Sequence, residues 1–332
     1  MREAIGVRIF TYRCRIMNNP PMIDPLRTTV GVCIPTFRRN GRLRALLDDL
    51  ARQDRPPDQV IVVDNDATGA ARTVVEECRG ARPPFAIDYD VQPVPNISLT
   101  RNRTVQLAHT QWLAFIDDDE RAPPEWIGRL LHAANDHRAD VILSPVLPQV
   151  PPTAALWIRR GRFYDFPRQP EGAPVPTNCM RFGNVLLRAA LLREEPGPFD
   201  PRFGLTAGED IDLLARLARK GARIIWTETA PVFEPIEEKR LALRWLLRRA
   251  LGGGQGFARY AIAGGFGPLG PLGRWGFFLR ALAQMLAAFA LAVLALPFGR
   301  HYAVQWLIKA AANAGKLSAL WGGRHEIYGR AP

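Results

Sequence analysis

Short runs of β-branched residues alternate with longer segments of helical periodicity from Thr29 onward, and this alternation limits the folds open to the chain. The first two runs are TVGVCIP at 29–35 and QVIVVD at 59–64, and the segment 42–53 between them has leucines at helical spacing. Strands that are apolar throughout are usually buried on both faces. The alternation therefore predicts an α/β domain with a mostly parallel, Rossmann-like sheet that is covered by helices on both faces.

The same pattern continues toward the C-terminus. Further strands are predicted at residues 85–90, 112–117, 140–146 and 222–228, and further helices at 98–109, 124–135 and 206–221. Ligands of such folds bind at the carboxyl ends of the strands, where Pro35, Asp64 and Asp117 fall. Residues 145–201 are rich in proline and, apart from FGNVLLRAALL at 182–192, weakly periodic, which is typical of binding loops.

Charge is distributed unevenly along the 332 residues. Residues 239–332 contain 13 lysines and arginines and one acid, Glu326, so this segment has the whole formal charge of +12. A balanced globule followed by a basic, apolar tail predicts that the tail meets a membrane surface or an anionic ligand. No helix-turn-helix, RNP or zinc-finger pattern accompanies the charge, and we therefore expect no nucleic-acid partner. The oligomeric state is not indicated by any pattern.

An uncharged, apolar run extends from Ala281 to Gly299. As a helix, these residues would cover about 28 Å, close to the ~30 Å hydrocarbon core of a bilayer. Trp275 precedes the run, and Tyr302 and Trp306 follow it, where aromatic residues meet the membrane interface. We interpret the run as membrane-embedded, either spanning or re-entrant; a buried helix that packs on the globule is the alternative.

These patterns divide the chain into three parts. Residues 1–28 lack the apolar core and cleavage site of a signal peptide and are expected to form a flexible extension, in which Met17 or Met22 is an alternative start. Residues 29–256 are expected to form the α/β domain, and residues 257–332 a helical, membrane-associating region.

Three consecutive carboxylates, in FIDDDE at 115–120, end a strand that is predicted to be buried. Such carboxylates repel one another unless a positive group lies between them. Asp117 and Asp119 have the spacing at which hard oxygen ligands hold Mg²⁺ or Mn²⁺ against a diphosphate, and the metal neutralises the charge on a departing phosphate. The motif predicts a divalent metal site; a solvated acidic turn is the alternative.

Two further motifs contain residues suited to chemistry. Glu209 and Asp210, in AGEDIDL, open a predicted helix, where a carboxylate either caps the helix or acts as a general base toward an attacking hydroxyl. Arg101, in NISLTRNR, opens another helix and is placed to pair with phosphate or ribose, with a solvent-facing arginine as the alternative.

The ordered set of these motifs resembles the inverting glycosyltransferases of family 2, which have the GT-A fold, from Val30 to about Gly256. It comprises IPTFRRN, VIVVDND, TRN, FIDDDE and GED, in the order of the family. The resemblance implies hexose transfer from a nucleotide-sugar, with Asp117 and Asp119 on the metal and Asp210 as the base. It also implies that Arg101 contacts the nucleotide of a UDP-sugar, that Asp118 contacts its ribose, and that its uracil is framed by Pro35, Thr36, Phe37, Asp64 and Asp66.

One motif departs from the processive members of that family, which have Gln-x-x-Arg-Trp. The corresponding LALRW at 241–245 has Leu241 in place of the glutamine, which favours the addition of a single sugar. The C-terminal tail is similar to that of bacterial transferases that build exopolysaccharide units on a lipid carrier, and this implies the cytoplasmic face of the bacterial inner membrane. A polyprenyl-phosphate glycosyltransferase and a non-catalytic, membrane-bound nucleotide-sugar-binding protein are the alternatives.

A stripe of arginines is predicted ahead of the apolar run. Arg240, Arg244 and Arg248 recur every four residues, which places them on one face of a single helix. Arginine forks match phosphate oxygens. We expect these residues, with Trp245, to guide a lipid-linked saccharide acceptor to Asp210; a solvated basic face is the alternative.

Overall fold

The computed structural model describes residues 28–205, 208–265, 267 and 270–321. Its strands are β1 (Val30–Thr36), β2 (Gln59–Asp64), β3 (Ala86–Val91), β4 (Trp112–Phe115), β5 (Val141–Leu143), β6 (Val146–Gln149), β7 (Val185–Arg188), β8 (Ile224–Trp226) and β9 (Val232–Pro235). Its helices are α1 (Asn40–Ala51), α2 (Arg72–Gly80), α3 (Ile97–Leu107), α4 (Trp126–Asp136), α5 (Leu156–Gly161), α6 (Ala189–Arg193), α7 (Glu209–Arg219), α8 (Leu243–Ile262), α9 (Pro271–Ala295) and α10 (Arg300–Ser318). Most of the extension predicted at 1–28 lies outside the described residues.

A seven-stranded sheet in the order β3-β2-β1-β4-β7-β5-β8 forms the centre of the fold. Its neighbouring strands are parallel except at β7, which pairs antiparallel with both β4 and β5. A second sheet pairs β6 with β9 in parallel. The predicted mostly parallel sheet is therefore confirmed.

The single strand predicted at 140–146 is wrong, because the chain changes sheet within it. Val141–Leu143 belongs to the large sheet and Val146–Gln149 to the small one. Between them, the side-chain amide of Asn184 donates to the carbonyl of Pro145 at 3.0 Å. Proline has no N–H for a sheet ladder, so a proline at this position is suited to the change of direction.

Alternate residues of the strands pack into two cores, one on each face of the sheet. Val32 and Ile34 of β1 pack with leucines of α1 and α4, whereas Cys33 lies in the opposite core with residues of α3 and α7. Because successive side chains of a strand point to opposite faces, a strand that is apolar throughout has helices on both sides.

The order of the strands reverses at β1, and this reversal determines where a ligand has room to bind. The chain passes from β1 to β2 and β3 on one side and then, through α3, to β4 on the other side. The loops that follow β1 and β4 therefore diverge and leave a crevice between them. Thr36 ends β1 and Phe115 ends β4, so the motifs IPTFRRN and FIDDDE meet at this crevice.

Two of the C-terminal helices, α8 and α10, attach to the globule through a third apolar cluster. Leu246 of α8 and Val304 of α10 pack there with Ile158 of α5 and Tyr164. A domain boundary at residue 256 falls inside α8, and the division into domains stays a prediction.

The helix α9, with the short 3₁₀ turn that follows it, is long and apolar enough to cross a membrane. Pro271–Phe298 has a mean hydropathy of 2.1 over its most apolar 18-residue stretch, and 17% of that stretch is buried. A core helix would be mostly buried, so the exposure favours membrane association over packing on the globule. The helix begins at Pro271, earlier than the predicted run, and Pro297 lies in the turn that ends it.

The helices α8 and α10 cross at a distance that glycine permits. A Cβ on Gly254 would lie 1.9 Å from the carbonyl oxygen of Ala312, and a Cβ on Gly315 would lie 2.1 Å from that of Leu251. Small residues at such points let helix backbones approach closely. The glycines therefore fix the separation of the two helices.

We expect Gly254→Ala to lower the melting temperature, because the backbone of α10 cannot rotate away as a flexible side chain would. Gly253→Ala is the matched control, since a Cβ there meets nothing within 4 Å. This control should gain up to about 1 kcal/mol of stability through helix propensity. Thermal unfolding of both variants in one detergent measures the difference, and equal shifts of the melting temperature would contradict the close crossing.

Candidate active site

Four acidic residues follow β4 at the crevice, and we call Asp117, Asp118, Asp119 and Glu120 the acidic run. Three of the four are buried, and Asp117 is partly exposed. Buried carboxylates are costly unless they are paired or protonated. The partners of the first three are the guanidinium groups of Arg39, which directly precedes α1, of Arg101 in α3 and of Arg240 in the 3₁₀ turn Glu238–Arg240.

Asp118 joins the end of β4 to the end of β1. The hydroxyl of Thr36 donates to its Oδ2 at 2.8 Å and the N–H of Phe37 does so at 3.4 Å, while Arg39 donates to its Oδ1 at 2.8 Å. Burial raises the pKa of Asp118 to about 6, although Arg39 opposes the shift. Both oxygens of this carboxylate are engaged by the chain, and contact with a ribose stays a prediction.

Asp119 is the point at which three arginines converge. Its Oδ2 lies 2.7 Å from Arg240, 3.0 Å from Arg39 and 3.7 Å from Arg42. Arg240 also donates to Glu234 of β9 at 2.5 Å, so this guanidinium bridges two carboxylates. The carboxylate is therefore neutralised by several cations at once.

The position of Arg240 results from the way β9 attaches to the acidic run. Arg121 follows Glu120 directly and exchanges both backbone hydrogen bonds with Phe233, at 2.8 and 2.9 Å. This pairing places the end of β9, and the turn after it, beside the crevice.

The prediction that Arg240 shares a helix face with Arg244 and Arg248 is wrong. Arg240 ends a 3₁₀ turn, Ala242 has extended backbone angles, and α8 begins only at Leu243. The guanidinium of Arg240 is directed to Asp119, whereas Arg244 and Arg248 are exposed and form no ion pair with a described carboxylate. Their role toward an acceptor stays a prediction.

Asp117 has the most exposed side chain of the acidic run, at 40%. One of its oxygens lies 3.5 Å from the guanidinium of Arg101. Desolvation by the surrounding protein raises the pKa of Asp117. The negative charges of Asp119 and Asp210 add to this rise, and the positive charge of Arg101 opposes it. Asp117, Asp119 and Asp210 are thus close enough to interact electrically across the crevice.

Arg101 and Glu209 form a buried ion pair at 2.7 Å. The guanidinium lies against the rings of Phe182 and Phe199, at 5.3 and 5.8 Å from their centres. Burial and the neighbouring Asp210 raise the pKa of Glu209 to about 7. The arrangement makes Glu209 an anchor that orients Arg101 toward Asp117.

Asp210 differs from Glu209 in its exposure and in its partners. It is partly exposed, and its two oxygens accept from the N–H groups of Phe182 at 3.3 Å and of Ile211 at 2.8 Å. Backbone donors fix the carboxylate without neutralising its charge. Of the two predicted catalytic acids, Asp210 is therefore the one suited to accept a proton.

The predicted nucleotide residues of β2 order the loop that follows it. Asp64 is fully buried and accepts from the N–H groups of Asp66 at 2.9 Å and Ala71 at 2.8 Å. Asp66 pairs with Arg38 at 2.5 Å, and this hydrogen bond holds the pKa of Asp66 at about 2. Contacts of these two aspartates with the uracil of a donor stay predictions.

The end of β1 lies beside this loop. Pro35 is buried and registers with Val63 of β2, and Thr36 registers with Asp64. The ring of Phe37 is partly exposed and lies 5.2 Å from the guanidinium of Arg38. The structure thus brings the residues that are predicted to frame the uracil together at one edge of the crevice.

Several residues of the crevice were not predicted. Arg39 and Arg42, which follow β1, are spaced by three residues at the start of a helix, and this spacing is the only local signal for them. Glu234 and the partly buried Arg181 lie far from the acidic run in sequence, and no sequence pattern indicated that they belong to the crevice.

No group of three or more His, Cys, Asp or Glu among the described residues is arranged to hold a metal. The positive groups between the carboxylates are guanidinium groups. Metal binding by Asp117 and Asp119 therefore stays a prediction.

Comparison with known proteins shows which family and which individual proteins this chain is similar to. The model of the family described as glycosyl transferase family 2 matches residues 31–193. The succinoglycan biosynthesis protein ExoM of Rhizobium meliloti (strain 1021) is 36% identical over 244 residues, which are 71% of this chain and 75% of that protein. The galactofuranosyltransferase GlfT1 of Mycolicibacterium smegmatis (strain ATCC 700084 / mc(2)155) is 28% identical over 236 residues, covering 62% and 72% respectively.

The fold has a counterpart among solved structures. The mannosyltransferase PcManGT from Pyrobaculum calidifontis, in complex with GDP-Man and Mn²⁺, has a TM-score of 0.64 at 20% identity over 90% of this chain and 89% of that one. This likeness confirms the expected GT-A fold. With the motifs of the family gathered at one crevice and a 36% identical relative over most of both chains, the protein belongs to glycosyl transferase family 2.

Proposed function

We propose that the protein transfers a single sugar from a nucleotide-sugar, a UDP-sugar, to a lipid-linked saccharide during synthesis of a bacterial exopolysaccharide. The observation that carries the proposal is that Arg101 joins the acidic run to the start of α7, because it lies 3.5 Å from Asp117 and 2.7 Å from Glu209, the neighbour of Asp210. The name of ExoM, a succinoglycan biosynthesis protein, supports the polysaccharide. Leu241, in place of the glutamine of processive members, supports the single addition.

Asp210 acts as the general base in this proposal. Its carboxylate takes the proton of an acceptor hydroxyl, and the hydroxyl oxygen forms a bond to the anomeric carbon of the donor. The bond between that carbon and the diphosphate oxygen breaks, and the nucleoside diphosphate leaves with the electron pair. Because the oxygen attacks the face opposite the leaving group, the configuration at the anomeric carbon is inverted.

Arg101 contributes charge on the donor side. Glu209 holds one side of its guanidinium, at 2.7 Å, and Asp117 lies 3.5 Å from the other. Charge-assisted hydrogen bonds from arginine to phosphate are strong and directional. Arg101 is therefore placed between the base and the acidic run, where the diphosphate has to lie.

The residues of the acidic run fit a divalent ion. Mg²⁺ is usually bound by one or two carboxylates together with substrate phosphates and water, so a cluster of three acids is not required. Asp117 is exposed to the crevice, and Asp119 is close enough to raise its pKa. We propose Mg²⁺ or Mn²⁺ here, as Mn²⁺ accompanies GDP-Man in PcManGT; the bound ion would neutralise the leaving diphosphate.

We propose that α9 attaches the enzyme to the cytoplasmic face of the inner membrane. The helix exposes large apolar side chains such as Leu279, Leu286 and Phe289. A soluble donor and a lipid-linked acceptor can meet only at a membrane surface. The exposed face of α9 supplies the apolar contact that such a position requires.

Asp117→Asn should lower the rate of transfer about 10²-fold or more, because a metal supplies several kcal/mol of transition-state stabilisation. The variant should also weaken the binding of Mn²⁺ in the presence of UDP, which electron paramagnetic resonance measures without turnover. Removal of metal by EDTA should abolish transfer in the wild type, and added Mn²⁺ should restore it. Full activity in EDTA would refute the proposal that transfer requires a divalent metal ion.

Asp210→Asn should reduce kcat by at least ~10²-fold, the lower range for the loss of a general base. Donor affinity should be unchanged, since asparagine keeps an acceptor for the N–H of Phe182. Glu209→Gln is the comparison, because glutamine still accepts from Arg101 and should cost less activity. If kcat falls further in Glu209→Gln, the base has been assigned to the wrong carboxylate.

The double variant Leu286→Glu, Phe289→Glu should release the protein from vesicles of phosphatidylethanolamine and phosphatidylglycerol in a flotation assay. Both side chains are about as exposed as that of Leu156 on α5, with exposed fractions of 60%, 59% and 51%. Leu156→Glu is therefore the control and should float like the wild type. Equal flotation of the double variant and the wild type would exclude α9 as the attachment.

A further inference from the structure

The side chain of Arg181 lies near the carboxylates of Glu120 and Asp210, whose charges oppose the lowering of its pKa by burial, but it forms no ion pair with either. Its Nη1 is buried and makes no hydrogen bond to any described residue, and no described carboxylate forms an ion pair with it. Its guanidinium lies over the ring of Phe166, 3.7 Å from the centre. Burial lowers the pKa of Arg181 to about 10. A buried guanidinium nitrogen without a hydrogen-bond partner costs stability, and a bound anion would supply that partner to Nη1 of Arg181.

A second arginine lies over the same ring. Arg249 of α8 is 5.4 Å from the centre of Phe166 and 5.2 Å from that of Trp245. Its positive charge contributes to the lowered pKa of Arg181. Arg249 also interacts with Glu234, where its charge opposes the rise in pKa that burial causes. Two like charges over one aromatic ring repel each other, and an anion bound beside both arginines would further offset that repulsion.

This cation pair, Arg181 and Arg249, lies next to Asp210, the proposed general base. Phe182 follows Arg181 in the chain, and its N–H donates to Asp210 at 3.3 Å. Arg181 is also near enough to Asp210 for the carboxylate to influence its pKa. An anion bound by the cation pair would therefore lie near the carboxylate of Asp210, which is proposed to deprotonate the acceptor hydroxyl.

The cation pair belongs to a continuous arc of contacts around the crevice. The arc runs, in order of contact, through Asp119, Arg240, Trp245, Arg249, Phe166 and Arg181 to the backbone of Phe182 and Asp210. It includes none of the residues at the ends of β1 and β2 that are expected to frame the nucleotide. The cation pair itself shares no residue with the acidic run or with Arg101, which would hold the donor diphosphate.

The arc also continues toward the apolar helix. Trp245 and Arg249 lie on α8, α8 packs against α10, and α10 packs against α9. The cation pair is thus connected through α8 and α10 to the helix that is proposed to contact the bilayer.

We infer that Arg181, Arg249 and Phe166 form a binding site for the phosphate of a prenyl-linked acceptor. This inference rests on the proposed transfer function and deepens it, because it names the group by which the acceptor is recognised. Arginine forks match phosphate oxygens, and the aromatic ring beneath them keeps their planes oriented. The site positions the acceptor and takes no part in the bond-making step.

Binding of citronellyl phosphate, measured by calorimetry on the full-length protein in detergent, tests the site without turnover. Arg181→Gln and Arg249→Gln should each weaken binding about tenfold or more, the usual worth of one hydrogen bond to a charged group. Arg181→Lys should recover part of the loss, since it keeps the charge but loses the fork. Arg219→Gln, an exposed arginine at the other end of α7 from Asp210, is the control and should bind like the wild type.

Three further ligands separate the possible sources of the anion. Citronellol should bind more weakly than its phosphate in the wild type and equally in all variants. Inorganic phosphate that bound as tightly as citronellyl phosphate would overturn the lipid assignment in favour of free phosphate. UDP should bind the wild type and the variants alike, and its loss together with citronellyl phosphate would show that the arginines serve the donor instead.

The outcomes for this site and for the proposed function are distinguishable. A wild type that turned over no nucleotide-sugar would refute the function, whatever the binding results. A wild type that transferred sugar, while Arg181→Gln and Arg249→Gln bound citronellyl phosphate normally, would refute only the inferred site. Circular dichroism of each variant shows that loss of binding does not come from unfolding.

Discussion

Repulsion among the carboxylates after β4 is the constraint on which the rest of the crevice depends. The three successive aspartates Asp117, Asp118 and Asp119 cannot all remain charged without cations nearby, because like charges repel one another and the surrounding protein removes their hydration. The chain supplies those cations from distant segments. Arg39 directly precedes α1, Arg101 lies in α3, and Arg240 lies in the turn after β9. Each ion pair therefore neutralises a carboxylate and also fixes one wall of the crevice.

The same contacts connect the crevice to the C-terminal helices. Arg240 touches Asp119 through its guanidinium, while its carbonyl accepts from the hydroxyl of Tyr164 at 2.7 Å. Tyr164 in turn belongs to the apolar cluster that α8 and α10 complete. A displacement of α8 would therefore be transmitted to Asp119 by packed side chains rather than by a flexible linker. The close crossing at Gly254 keeps α8 in register with α10.

Elements whose apolar residues form continuous runs could be predicted from the sequence, and elements specified by distant partners could not. The strands β1, β2 and β4 were recognisable because burial on both faces leaves no polar position. The four residues of β7 sit in a proline-rich segment and contain no signal for an antiparallel direction. The helix face proposed for Arg240 was wrong because spacing by four residues does not reveal where a helix starts. Its true partner, Asp119, is 121 residues away in sequence.

The balance of charge explains why acids and arginines are both needed at the crevice. The guanidinium groups of Arg39 and Arg240 pair with Asp119, and Glu209 pairs with Arg101. On the proposed function, a diphosphate adds negative charge and a divalent ion adds positive charge at the same place. An ion alone would face the arginines around Asp119, and a diphosphate alone would face the carboxylate of Asp117. Each offsets the repulsion that the other meets, so the electrostatics of the crevice favour their arrival as one complex.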